Sequence, residues 1–271
     1  MRILGLFLAT LSLTACLNST TLVKVKPDGS GTVEQSTLVN MASLKGVLGA
    51  QGQGQGGGPT GPMMSKEELE RTAAAMGEGV RLVSSEPIKG DAGWEGVKAI
   101  FAFDDINKIQ VNQSPGMSGG TGSRTRSAEP TSDDPVRFKL TRSGGTSTLS
   151  INFIDRPVGD RPAAEPRQPS DMPDLTNPMI MNMIKAMFNG FQVNVGLEVA
   201  GKIVKTNADY VTGSRITLLE LDVASLLADE AKLKALQGKL GPGMSLSEVK
   251  PYLKDIKGIK VDGPSITVEF R

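Results

Sequence analysis

The sequence predicts an α+β fold, an antiparallel β-sheet with helices packed on one face, interrupted by long disordered insertions. Three observations predict it. Segment after segment alternates apolar and polar residues with period two, the mark of strands with one buried and one wet face. Helical signals are few and confined to the stretches between strands. Three Gly-, Ser- or Pro-rich stretches carry too little apolar surface to offset the backbone entropy of ordering, about 1–2 kcal/mol per residue.

The first strands are Thr21 to Lys26 and Gly31 to Leu38, a hairpin turning on Pro27, Asp28, Gly29 and Ser30. Ser65 and Glu68 form a capping box that opens a helix running to about Met76. That helix buries Leu69, Ala73 and Met76 and stops at Gly77. Alternation then marks strands at Val80 to Leu82, Ile100 to Phe103, Val136 to Leu140 and Leu149 to Phe153. It returns at Val193 to Val199, Lys202 to Thr206, Arg215 to Leu221 and Ile266 to Phe270. Helices are expected at Pro178 to Phe191, at Asp229 to Gln237 and at Ser245 to Asp255. In the last of these Pro251 lacks an amide donor and imposes a kink or a late start.

The insertions are residues 49–62 (Gln51, Gln53 and Gln55 set among glycines), 114–135 and 155–174. The third carries Pro157, Pro162, Pro166, Pro169 and Pro173. The first two read as flexible and the third as extended, near polyproline II. The segments flanking each insertion read as neighbours in one sheet.

The N-terminus reads as an export signal. Arg2 gives a short positive region, and Ile3 to Leu13 is apolar but too short to span the roughly 30 Å core of a bilayer. Leu13, Thr14 and Ala15 then precede Cys16, a pattern that resembles the lipobox of bacterial lipoproteins. That resemblance implies removal of residues 1–15 and acylation of Cys16, with two or three chains giving a stable anchor at roughly 0.8 kcal/mol per buried methylene. The bland alternative is an ordinary secretory signal cut near Ala15. Leu17, in place of aspartate, points to the outer membrane facing the periplasm if the host is diderm. Cys16 is the only cysteine, so no disulfide framework holds the fold. Removing residues 1–15 takes away only Arg2 from 30 Lys+Arg against 29 Asp+Glu, leaving 29 against 29. A balanced charge gives no electrostatic case for nucleic acid.

The chemistry-bearing motifs are mostly coincidences of composition. The chain has no histidine, which excludes His-dependent triads and imidazole proton shuttles. Gly116, Ser118 and Gly120 spell G-x-S-x-G inside an expected linker, with no strand or helix around them. Gly52, Gly54 and Gly57 match G-x-G-x-x-G within low complexity. Ser247 and Lys250 match S-x-x-K without the partner motifs. Asp104, Asp105 and Asp222 end two strands and could pair as catalytic or metal-binding acids, but they read better as caps of short helical turns. Asp28 reads as a turn residue rather than a calcium ligand. No metal site and no cofactor are expected.

One stretch points to binding. Met179 to Phe188 carries Met179, Met181, Met183 and Met187, and its apolar side chains cover about 200° of a helix where a sheet-packed helix needs about 100°. The surplus must meet a second layer of protein, an acyl chain, a membrane or a partner. Methionine suits the binding options because it adapts to varied apolar shapes. A fully packed core helix is the competing reading. The candidate ligand-binding residues are Met179, Ile180, Met183, Ile184, Met187 and Phe188.

Val25 to Val33 with Asp28-Gly29-Ser30-Gly31, Gly201 to Asn207, and Gly213 to Leu218 form a set of short motifs. With them the middle of the chain resembles LppM-type bacterial envelope lipoproteins. The resemblance spans about Thr21 to Leu227 and implies an α+β domain held at the membrane in association with envelope lipids or glycolipids, without catalytic residues. Residues 16–228 are thus expected to form the anchored domain and 229–271 a C-terminal αβ extension. The expectation is a non-enzymatic, lipid-anchored envelope lipoprotein that binds an apolar or amphiphilic envelope component. The alternative is an assembly lipoprotein that holds another envelope protein by its sheet edge and Pro-rich arm.

Overall fold

The computed structural model describes residues 17–41, 64–111, 136–153, 179, 181, 182, 185, 188, 190–229, 246–254 and 256–271. The chain is α+β, built on two sheets around a shared core. The larger sheet runs β10 (Val211–Thr212), β11 (Arg215–Asp222), β8 (Gln192–Val199), β1 (Leu17–Val25), β2 (Gly31–Asn40), β4 (Trp94–Phe103) and β3 (Arg81–Lys89). β12 (Ile259–Val261) pairs with β11 off this path. The smaller sheet runs β5 (Gln110–Val111), β6 (Val136–Ser143), β7 (Thr146–Asn152), β13 (Ser265–Phe270) and β9 (Ile203–Thr206).

The expected hairpin is present, with Asp28 accepting hydrogen bonds from the Ser30 amide (2.9 Å) and hydroxyl (2.7 Å). Gly29 takes φ 86° there, a left-handed turn conformation that glycine adopts without strain. The capping box is also present. Ser65 Oγ accepts from the Glu68 amide, and Glu68 accepts from the Ser65 amide, at the start of α1 (Lys66–Met76). Leu69, Ala73 and Met76 are its buried face, as the spacing predicts. α2 (Val223–Ala228) starts on the Asp222 cap, and α3 (Leu246–Leu253) accommodates Pro251 inside it. The helix expected at 229–237 and the insertions 49–62, 114–135 and 155–174 lie, in whole or nearly so, outside the described residues.

Three features differ from the sequence expectation. The strands form two sheets, and the larger one contains a parallel pair, Asn18–Val25 of β1 against Gln192–Val199 of β8. β7 and β8, which flank residues 155–174, belong to different sheets rather than neighbouring in one. Residues 259–270 contribute to both sheets, and β13 lies between β7 and β9 with Ile266, Val268 and Phe270 fully buried. Strand order depends on which apolar faces meet in three dimensions, and alternation reports only that each strand has such a face.

The smaller sheet covers the larger one toward the β1–β2 turn. Ser147 Oγ donates to Pro27 O, the Arg142 guanidinium donates to Asp28 O, and Leu140 N donates to Asn107 Oδ1. The shared core there holds Val23, Val33, Phe101, Phe103, Leu149, Ile151 and Phe270, all at most 2% exposed.

A buried acid latches α3 to this frame. Asp262 accepts from the Gly263 amide (2.7 Å) and the Asp209 amide (3.2 Å), and Lys250 Nζ lies 2.7 Å from Asp209 and 3.9 Å from Asp262. Burial pushes the Asp262 carboxyl above the ordinary 3.8, while its hydrogen bond to Lys250 holds Asp209 below that value. A raised folded-state value means that ionised Asp262 opposes folding at neutral pH, and Lys250 offsets that. Lys250→Met is expected to lose about 1–3 kcal/mol near neutral pH. The deficit narrows as pH falls, because a protonated Asp262 needs no cation and Asp209 gives up its own contribution in the wild type. Urea titrations at neutral and mildly acidic pH check this. An equal deficit at both would remove Asp262 from the account.

Candidate functional site

The inner face of the larger sheet changes character along its strands. Two ladder rows cross it near the start of β1. One runs Leu221, Val193, Ser19, Thr37 and Val97, and the next runs Leu219, Val195, Thr21, Gln35 and Ala99. Further along, the corresponding row is Leu197, Val23, Val33 and Phe101. The outer strands of the first two rows are thus apolar, and the two central strands carry a polar stripe of Ser19, Thr21, Gln35 and Thr37.

Ser19 and Thr21 are 0% exposed, and neither Oγ nor Oγ1 has a hydrogen-bond partner among the described residues. A buried hydroxyl left unpaired costs about 1–3 kcal/mol, so most folded proteins avoid it. Here there are two, on one strand, one pleat repeat apart at about 7 Å.

Aromatic and methionine side chains gather where β1 begins. Phe191 is buried and meets Phe188 edge-to-face, with ring centroids 5.9 Å apart at 83°. Phe188 also packs against Met181 and Leu227, tying the 179–188 segment to α2. The Phe191 carbonyl accepts from the Val223 amide at the start of that helix. Gly190, at φ 80°, lies against Trp94, and a Cβ there would stand 2.6 Å from the Trp94 ring. Gly190→Ala is therefore expected to cost about 1–3 kcal/mol through left-handed strain and displacement of the ring. Because Trp94 is the sole tryptophan, a red shift of emission reports the displacement. Unchanged emission and stability would place the ring elsewhere.

The expected ligand-binding residues are only partly brought together. Residues 179, 181, 182 and 185 are helical. Met179 is 80% exposed, so it lines no enclosed site, whereas Phe188 is half-buried at the site just described. Ile180, Met183, Ile184 and Met187 lie outside the described residues, as does Cys16, which precedes Leu17, the first residue of β1. Among the described methionines of this segment, Met181 is buried, at 7% exposure, and the candidate set omits it. Sequence reasoning also missed Ser19 and Thr21 as site residues, and it starts the strand at Thr21 rather than Leu17. The signal was present in Leu17, Ser19, Thr21, Val23 and Val25, an unbroken period-two series of buried positions once hydroxyls are allowed to face inward.

The strand-terminal acids do not meet. Asp104 pairs with Arg81 (3.1 Å) and Asp105 caps the turn at Ile106–Lys108, beside the β1–β2 turn, and the Asn107 hydrogen bonds hold Asp105 below its ordinary range. Asp222 lies at the other end of the sheet, accepting from the Ser225 amide and hydroxyl as the cap of α2. Lys250, the lysine of the S-x-x-K match, is engaged by Asp209. Among the described residues no group of three or more acids or cysteines could hold a metal ion, and no helix is long and apolar enough to cross a membrane.

No protein-family profile matches the sequence, and no curated protein matches it. Among solved structures, the chain is similar to the NMR structure of the folded domain of the Mycobacterium tuberculosis LppM protein. The identity is 10%, the coverage 95% of this chain and 91% of that one, and the TM-score 0.36.

Proposed function

We propose that this chain is a non-enzymatic, lipid-anchored bacterial envelope lipoprotein that binds an amphiphile on the inner face of its larger sheet. The polar stripe meets the amphiphile's polar group, and Phe188, Phe191, Val193 and Val97 meet its apolar chain. The observation that carries this reading is the pair of buried, partnerless hydroxyls on Ser19 and Thr21. Ester, glycosyl or phosphate oxygens accept hydrogen bonds from them, and the flanking aliphatic residues shed water around that contact. Anchoring through Cys16 follows from the lipobox, and the address, an envelope membrane, follows from the anchor.

The reading is preferred to assembly through a sheet edge. Edge strand β3 carries Arg81, Glu86, Pro87 and Lys89 and a register shift between Leu82 and Ser84, features that discourage strand addition.

The test is mass spectrometry of organic extracts of the full chain purified from membranes, alongside the intact N-terminus. A stoichiometric amphiphile that is lost in Ser19→Ala/Thr21→Val supports the reading. A folded protein that carries none, and gains none from bacterial lipid extract, sinks the binding claim. An N-terminus without acyl groups on Cys16 sinks the anchor.

A further inference from the structure

Three features converge on one end of the larger sheet. β1, β4 and β8 begin there at Leu17, Trp94 and Gln192, and β2, β3 and β11 end there at Asn40, Lys89 and Asp222. Leu17 is 7% exposed, so its side chain is already in the core. Cys16 is the residue before it, and adjacent Cα atoms across a trans peptide are about 3.8 Å apart. No length of free chain separates the acylated residue from the fold.

We propose that this end of the sheet lies flat on the bilayer and that the amphiphile passes from the bilayer directly into the polar stripe. The proposal rests on the lipid-anchor reading above and adds the source and direction of the ligand. An extended strand rises about 3.3 Å per residue, which puts Ser19 about 7 Å and Thr21 about 13 Å from Leu17, the residue joined to Cys16. A bilayer of about 40–45 Å has a hydrocarbon core of about 30 Å, so each headgroup layer is roughly 5–7 Å deep. A lipid lifted by little more than one headgroup layer brings its polar group level with Ser19, and its chains need not cross water.

The residues at this end fit an interface. Trp94 is half-buried against Gly190, with its indole at the sheet end, and tryptophan prefers the headgroup level of a membrane. Met179, 80% exposed, is two residues from Met181, which packs with Leu227 of α2. Charge at the β3–β4 corner is mixed, with Lys89 exposed near Asp91 and Glu95, so the short tether and the apolar side chains set the orientation. The opposite end presents the β1–β2 turn and the β6–β7 hairpin, joined by Arg142 and Asp28.

The lone tryptophan makes the test direct. The acylated full chain is reconstituted into phosphatidylglycerol/phosphatidylethanolamine vesicles whose acyl chains are brominated near the headgroup. Trp94 emission is expected to shift to the blue and to be strongly quenched. In Trp94→Phe/Thr141→Trp, whose probe is an exposed β6 position near the far end, quenching should be several-fold weaker. A flexible insert of about ten Gly/Ser residues between Cys16 and Leu17 should keep the protein on vesicles and remove most of the Trp94 quenching. It should also slow uptake of lipid from the vesicle. Equal quenching at both positions, quenching only at position 141, or indifference to the insert would overturn the orientation. Lipid retention without Trp94 quenching fails the orientation alone, and Trp94 quenching without retained lipid fails the binding reading alone. A chain that leaves the vesicles because Cys16 is unmodified fails both.

Discussion

Replacing Phe270 with alanine is expected to destabilise the fold by about 3–5 kcal/mol, the range for truncating a fully enclosed aromatic side chain. Phe270 is the penultimate residue and is 0% exposed. It pairs with Ser147 of β7 on one side and Ile203 of β9 on the other, within the core shared by the two sheets. Deleting residues 265–271 goes further. It removes the ladder from Ser265–Phe270 to Asn152–Ser147, leaves β9 without that neighbour, and empties the positions of Ile266, Val268 and Phe270. Marginal stability of about 5–15 kcal/mol does not absorb three such losses. The deletion should abolish the cooperative thermal transition, while Phe270→Ala should keep it at a lower midpoint. A deletion variant that melts like the full chain would show that the last strand is an appendage.

The second large effect has the opposite sign. Ser19→Ala/Thr21→Val removes two buried hydroxyls that have no partner among the described residues, and valine matches threonine in shape. Where an unpaired polar atom is replaced by an apolar one of similar size, its desolvation penalty disappears. The lipid-stripped double variant should be more stable than the stripped wild type by about 2–4 kcal/mol, read from urea unfolding. The same variant should lose retained amphiphile. Wild-type stability, in contrast, should rise when lipid is restored, since a ligand that binds only the folded state adds to its stability. A variant that is destabilised, or that retains lipid as well as the wild type, would mean that the hydroxyls are satisfied within the fold. A stability gain bought with loss of binding is what separates a site from a packing accident.

Much of the fold was legible because it is written in local chemistry. The capping box of Ser65 and Glu68, the turn at Asp28–Gly31, and the caps at Asp105 and Asp222 need only residues within a few positions of one another. The strands at Phe101, Phe138, Leu149 and Val268 announced themselves because a half-buried strand must alternate. The elements not legible in the sequence have local reasons. β5, β10 and β12 are two or three residues long, too short to show a period. The first residues of β1 carry polar side chains at inward positions, where hydrophobic alternation gives no signal.

The candidate site was legible only in outline. Of the methionine-rich segment, Met181 is buried by Leu227, more than forty positions further along the chain. Helical periodicity gives an apolar arc, and it cannot say which part of that arc a neighbour covers.

The sequence by itself determined the element types, the single cysteine at position 16 with no disulfide partner, and the lack of histidine chemistry, since each depends on composition or on neighbours along the chain. The tertiary structure alone decided that β1 and β8 run parallel, that β13 is an inner strand, and that Ser19 and Thr21 are sealed on an inward face. These depend on contacts between residues far apart in sequence, such as Asn18 with Gln192 and Val268 with Thr206. Such contacts are selected by the packing of whole faces, which no local pattern encodes.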